Sequence, residues 1–283
     1  MTEASEWKGR VGDVWAQEWR RTDRALAPVN DALVARVAAQ AGARPAILDI
    51  GCGAGTTSLA LAKAVPGAEI TGIDLSGALI AVARARARGR AGLRFEAGDA
   101  ARWAPAAGRF GAMVSRHGIM FFDDPAAAFA HIGSLAAPEA PFVFSCFRDR
   151  AENPWVGALG PIFERFAPEA LAAPPPPVGP FAFADPARVE AILTGAGFAA
   201  PSIEAFDFDF VAGAGEDPVA DALAFFRRIG PFAALLKALD DEAGGAAAAQ
   251  LAAILASHRA GGRIAFRAAA WIVSTRRNAG TPS

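Results

Sequence analysis

The sequence predicts an α/β protein built on a mostly parallel sheet with helices on both faces. Two observations carry this. Five short β-branched or aromatic runs, "AILDI", "AEITGIDL", "LRFEAGD", "FGAMVSRHG" and "APFVFSCF", are separated by alanine-rich segments of helical length. That alternation is the pattern of a parallel sheet whose crossovers are helices. The second is "ILDIGCGAGTTSLAL", which places glycines at positions 51, 53 and 55 just after the first of these runs. Glycines that dense, between a strand and a helix, bring backbone close to a ligand.

The elements follow in order. Two N-terminal helices are expected, one carrying Trp7, Val11, Trp15 and Trp19, the other running from about Val29 to Ala41 and ending at Gly42. The glycine turn opens a helix at about Thr56. In "DDPAAAFAHIGSLAAP", Asp124 is placed to cap a helix with Pro125 at its first position and Pro138 beyond its end. After Phe147 the rhythm breaks. The four prolines at 174–177 predict an extended surface loop, because proline can sit neither inside a helix nor in a central strand. "DPARVEAILTGAGF" is a helix capped by Asp185 and closed by Gly197, and "SIEAFDFDFV" alternates as a strand with one face buried. Two helices, Pro218 to Ile229 and Pro231 to Ala256, precede a closing strand, "GRIAFRAAAWIVSTR". The segment 218–256 is placed as a lid on the sheet. The whole chain, 1–283, is expected to be one domain: helices over 1–44, a ligand-binding core over 45–147, and the remaining sheet with its lid over 148–283.

Composition narrows the function. Of 283 residues, 53% are hydrophobic and the net charge is -1, so no electrostatic field draws the chain to nucleic acid or an anionic membrane. The arginines of "ARARARGRAG", Ala83 to Gly92, lack interleaved aromatics and are expected to form a solvated helix face. Two cysteines are too few for a disulfide framework or a tetrahedral zinc site, and no metal is expected. The first residues are polar with no apolar signal core, and no stretch has the length of a membrane span, so a cytoplasmic protein is expected.

The residues around the glycines separate the possible ligands. A dinucleotide fingerprint beginning at Gly51 and Gly53 needs glycine at position 56, where Thr56 stands, and a phosphate loop needs a lysine that the turn lacks. Asp49, two residues before the first glycine, would repel a pyrophosphate and suits a ligand carrying an ammonium. Asp74 ends the second strand, where a carboxylate can accept ribose hydroxyls. Asp99 ends the third and is placed to accept an adenine amino group, with the backbone N–H of Ala100 toward the ring.

This constellation resembles the class I S-adenosylmethionine-dependent methyltransferases. The resemblance covers roughly Ala46 to Phe147 through "LDIGCGAG", "GIDLS", "AGDA" and "MVSRHGIMFFDDP", and "NPW" and "FADP" further on are similar to a large bacterial subgroup acting on small molecules. It implies a doubly wound, seven-stranded, Rossmann-like sheet with an antiparallel last strand, and S-adenosyl-L-methionine as cofactor. It also implies that Gly51, Gly53 and Gly55 line the methionine part, with Asp49 holding the amino end, Asp74 the ribose, and Asp99 and Ala100 the adenine. Cys52, Leu75 and Arg116 are expected beside them. One departure is the loop after the fourth helix, which reads Pro138-Glu139-Ala140-Pro141 where the family usually carries Pro-Gly-Gly.

Methyl transfer from a sulfonium needs mainly an acceptor held in line and water excluded. A base is required only when the acceptor must lose a proton. His117, after the fourth strand, is the candidate, with an imidazole titrating near neutrality, and O-methylation is favoured on that ground. Trp15, Trp19, Phe121, Phe122, Trp155, Phe225 and Phe226 are candidates for an acceptor pocket suited to an apolar or aromatic metabolite. Arg116, Arg227 and Arg228 leave a place for a substrate carboxylate. His131, His258 and the Asp123–Asp124 pair are expected to be structural. The alternatives are methylation of nitrogen or carbon, a nucleotide-dependent oxidoreductase, and a cofactor-binding protein without catalysis.

Overall fold

The computed structural model describes residues 4–43, 45–105, 109–172 and 177–279. Seven strands form the sheet: β1 Ala46–Ile50, β2 Glu69–Asp74, β3 Leu93–Ala97, β4 Ala112–Arg116, β5 Pro141–Phe147, β6 Ser202–Gly213 and, last in the chain, β8 Arg263–Arg276. β7, Arg259–Ala260, only hairpins onto β8. The order is 3-2-1-4-5-8-6. β1 to β5 run parallel, and β8 is antiparallel to both β5 and β6. The expected seven-stranded sheet with its antiparallel last strand is therefore present.

β1, β4 and β5 are buried at nearly every residue, as only a sheet covered on both faces allows. Helix α4, Ala27–Gln40, buries Val29, Leu33 and Val37 and packs on α5, Thr56–Ala64, and on β4 and β5. α6, Gly77–Arg86, packs on β2 and β3. α7, Pro125–Leu135, packs on α11, Pro186–Gly195, and sends Phe129 among Phe142, Phe144 and Phe183. Their punctuation is as expected: Asp124 accepts from the Ala127 N–H at 3.1 Å, Asp185 from Ala187 at 2.9 Å, and Gly197 has φ +81. Short helices α8 Pro154–Gly157, α9 Gly160–Phe166 and α10 Pro168–Ala172 follow β5. Pro177 lies in an exposed bend; the rest of the four-proline run lies outside the described residues.

Three expectations are corrected. The first N-terminal helix is three pieces, α1 Ala4–Trp7, α2 Arg10–Gln17 and α3 Trp19–Ala25, broken near Gly9 and at Glu18. Gly12 permits the middle piece to lie on the start of α6, since a Cβ there would collide with the Ser76 side chain. The segment expected as two helices has three, α12 Pro218–Phe226, α13 Pro231–Ala238 and α14 Asp241–Ser257, because Asp240 starts a new helix by accepting from Ala243 N at 2.8 Å. The third concerns the arginines after Ala83. Arg84, Arg88 and Arg90 are exposed as expected, Arg84 also donating to Phe95 O, but Arg86 is half-buried and donates to Ala54 O.

At the loop lacking Pro-Gly-Gly, the turn survives. Glu139 adopts φ +60, the left-handed conformation that glycine usually supplies, and its N–H donates to Arg277 O at 3.0 Å. A non-glycine residue there costs about 1–2 kcal/mol. Among the described residues no helix is long and apolar enough to cross a membrane.

Candidate functional site

The strand order reverses at β1, whose neighbours β2 and β4 lead to opposite halves of the sheet. In open α/β sheets ligands sit beyond the C-terminal strand ends at that point. The glycine turn lies there, and its three glycines are required for three different reasons. Gly51 (φ +64) presses on the β4 loop, since a Cβ would stand 2.8 Å from Gly118 Cα. Gly55 (φ +78) backs onto Phe95, 2.8 Å from a built Cβ. Only Gly53 (φ +53) faces open space, with nothing within 4 Å of its Cβ position.

A cavity of about 260 Å³ opens above this turn. It brings together Gly51, Cys52, Gly53, Asp74, Leu75, Asp99, Ala100, Arg116, His117, Trp15, Trp19, Phe121, Trp155, Phe225 and Phe226, from segments spread over the whole chain. Two expected members are elsewhere. Gly55 is turned toward Phe95. Asp49 lies buried beneath the turn, 1% exposed, where Oδ2 accepts from Ser58 Oγ at 2.6 Å and Oδ1 has no partner among the described residues. Burial is the main cause that lifts the Asp49 carboxyl to about 6, with Ser58 and Arg116 opposing it.

Asp74 is committed in part to the turn itself. Its Oδ2 accepts from Gly53 N and its Oδ1 from Ser76 N, both at 2.9 Å, while burial raises its pKa. Each oxygen keeps lone-pair capacity for a ligand. Asp99 accepts from Ala101 N at 3.0 Å and is more open. Cys52 is buried and its thiol pushed well up by that burial, so it packs rather than reacts.

Asp23, which the sequence did not single out, lines the same cavity from α3. It accepts from Thr56 Oγ1 at 2.5 Å, pairs with Arg116 and Arg86 at 3.1 Å each, and so ties the N-terminal helices across the glycine turn. Arg86 also stacks on the Trp19 ring at 3.9 Å. Arg116 retains one buried nitrogen, Nη1, without a partner among the described residues.

His117 adopts φ +58, a strained conformation that histidine tolerates better than most residues. Its Nδ1 lies 2.7 Å from Ser145 Oγ, its ring meets Phe147 edge-on at 4.3 Å, and Nε2 is buried without a partner among the described residues. Burial first, then Arg116, lowers the imidazole to about 3. The expected near-neutral titration is therefore corrected: the ring is neutral at physiological pH and its protonated form is strongly disfavoured.

Much of the remaining wall is aromatic. Phe147, Trp155, Phe210, Phe225 and Phe226 form a continuous chain of ring contacts, closed from the N-terminal side by Trp7, Trp15 and Phe121. Arg227 and Arg228 do not border the cavity. Arg228 instead pairs with Glu18 at 2.6 Å, and Asp221 binds Arg21 at 2.6 Å and Arg24 at 2.8 Å, so α12 is strapped to the N-terminal helices. His131 bonds Trp103 O and His258 bonds Ile254 O, structural roles as expected.

Residues 47–139 match the family of the methyltransferase domain. Two curated relatives are trans-aconitate 2-methyltransferases, from Paracidovorax citrulli (38% identical over 89 residues, 31% of this chain and 32% of that protein) and from Variovorax paradoxus (40% over 86 residues, 30% and 31%). The match spans about a third of the length of those relatives. The fold is similar to the YcgJ protein from Bacillus subtilis (TM-score 0.53, 15% identity, 90% of this chain and 99% of that one). It is also similar to a Haemonchus contortus phosphoethanolamine N-methyltransferase bound to phosphomonomethylethanolamine and S-adenosylhomocysteine (TM-score 0.54, 17% identity, 94% and 56%).

Proposed function

We propose that this chain, which carries a class I S-adenosylmethionine-dependent methyltransferase domain, transfers the sulfonium methyl to a small apolar or aromatic acceptor. Support comes chiefly from one observation: two buried polar atoms on residues that line the cavity, Arg116 Nη1 and His117 Nε2, have no partner among the described residues. Each such atom costs about 1–3 kcal/mol unless something meets it, so a polar ligand at this point would relieve the cost. The open space at Gly53 is where that ligand's backbone-hugging part would lie.

In this reading Gly53 and Leu75 shape the cofactor's bed, and Asp74 accepts its ribose hydroxyls with its remaining lone pairs. Asp99 and Ala100 meet the adenine. Arg116, already held by Asp23, offers Nη1 to the methionine carboxylate, while the Asp49 charge acts from beneath on the ammonium. When bound, S-adenosylmethionine supplies an electrophilic methyl; methyl passes from sulfur to the acceptor, leaving S-adenosylhomocysteine. The residues of this chain orient the acceptor and exclude water, which is the greater part of what such a displacement needs. Trp15, Trp19, Phe121, Trp155, Phe225 and Phe226 hold its apolar body. His117 is a poor base in this setting, so the methylated atom arrives with a free electron pair, as an ionised oxygen does.

The relatives named for trans-aconitate, a small tricarboxylate, point to a different acceptor. Among the described lining residues Arg116 is the one cation, and Asp23 neutralises it. Such a cavity cannot repay the desolvation of several carboxylates. Incubating the protein with S-adenosylmethionine and a panel of aromatic and aliphatic acids and phenols, with trans-aconitate alongside, tests this. S-adenosylhomocysteine should accumulate with monoanionic aromatic members and not with trans-aconitate. Preferred turnover of trans-aconitate would overturn the acceptor class.

A further inference from the structure

His117 borders the cavity, whereas its partner Ser145 lies behind it in β5, fully buried. Among the described residues the Ser145 hydroxyl has one hydrogen-bond partner, His117 Nδ1 at 2.7 Å. A hydroxyl is one donor with lone pairs, and a neutral imidazole is one donor and one acceptor, so only two arrangements exist. If Nδ1–H donates to the hydroxyl, the serine proton is stranded inside the sheet and the Nε2 lone pair is stranded at the cavity. If the hydroxyl donates to Nδ1, every group behind the ring is satisfied, and the one group left over is an N–H at Nε2. One stranded group against two, with the single one where a ligand can reach it, favours the second arrangement by roughly tenfold or more.

We propose that Ser145 fixes His117 in the tautomer protonated at Nε2, and that this N–H is a donor selecting a methyl acceptor that presents a carbonyl or ionised oxygen. The selection rests on the cavity's being the methyl-acceptor site; the tautomer does not. Ser145 is then a positioning residue, acting through the imidazole. A donor fixed inside a wall of aromatic rings discriminates strongly, because an acceptor lacking the matching lone pair leaves it unpaired. The same N–H cannot take a proton from a hydroxyl, so acceptors whose nucleophile must be deprotonated at this point are excluded.

Two measurements test this. The first is long-range proton–nitrogen correlation NMR on protein labelled with ¹⁵N-histidine, the His117 signals being assigned by their loss in His117→Gln. Nε2 should be the protonated nitrogen and Nδ1 the lone-pair nitrogen, and Ser145→Ala should populate the other tautomer. A His117 ring protonated at Nδ1 in the parent protein, or unchanged by Ser145→Ala, overturns the assignment. The second compares acetophenone with α-methylstyrene, its near-isostere with CH₂ in place of oxygen, on protein saturated with S-adenosylhomocysteine. Acetophenone should bind roughly tenfold more tightly and shift the Nε2 proton. Equal affinity overturns selection by the donor. Failure of S-adenosylhomocysteine itself to bind would count against the methyltransferase reading and leave the tautomer standing.

Discussion

Asp23 on α3 and Arg116 at the end of β4, 93 residues apart, form an ion pair at 3.1 Å across the mouth of the glycine turn. The carboxylate also holds Arg86 and Thr56, so one side chain fastens the N-terminal helices to three elements of the sheet core.

Asp23→Ala should therefore leave two neighbouring guanidiniums without their counter-charge. A loss of about 1.5–3 kcal/mol in unfolding free energy is expected, the scale of a hydrogen bond to a charged group. S-adenosylhomocysteine should bind more weakly as well, and Asp23→Glu should recover part of both. Urea unfolding with unchanged stability would mean that solvent replaces the carboxylate.

The glycines give a contrast within one turn. Gly53→Val should keep the fold at a cost of about 1–2 kcal/mol for the left-handed backbone while abolishing cofactor binding. Gly51→Ala drives a Cβ into Gly118, so its penalty should fall mainly on stability. Calorimetry and thermal unfolding on the two variants separate the effects; full cofactor affinity in Gly53→Val would remove the turn as the site.

Much of this was legible in the sequence, because strand-end acids and glycines are local signals. Asp74 and Asp99 stand at strand ends that the hydrophobic runs already marked, and the topology brings them to one cavity. Asp23 was not legible: nothing in "RRTDRAL" distinguishes it from any acid on a polar helix face, and its role depends on how α3 folds back over Thr56. The split of the first helix was hidden for a related reason, since the tryptophan spacing fits one continuous helix and the breaks answer to packing against α6. His117 was found by position, but its charge state was not, because burial and Arg116 are tertiary facts.

Asp49 predicts a pH dependence. Its folded pKa, about 6, lies above the ordinary 3.8, so the native state holds its proton more firmly than the unfolded chain does. That contribution is full below the unfolded value and is lost as pH rises through about 6. The loss between about pH 4.5 and pH 7 is about 2 kcal/mol. Asp49→Asn, which cannot ionise, should show a correspondingly flatter stability profile in urea unfolding across that range. Parallel profiles for parent and variant would mean that the carboxyl titrates normally.

Asp74→Ala should weaken S-adenosylmethionine binding by about 1.5–3 kcal/mol. The same change frees the Gly53 and Ser76 amides, so Asp74→Asn, which keeps one acceptor oxygen, should lose less. Equal affinities for all three proteins by calorimetry would rule out the ribose contact.

The most direct measurement is the ligand preference of the purified protein. Titration calorimetry with S-adenosylmethionine, S-adenosylhomocysteine and NADH should give saturable one-to-one binding of the first two, no heat with NADH, and no binding of any of them to Gly53→Val. Saturable binding of NADH, or none of S-adenosylhomocysteine, would contradict the assignment of this cavity to a sulfonium cofactor.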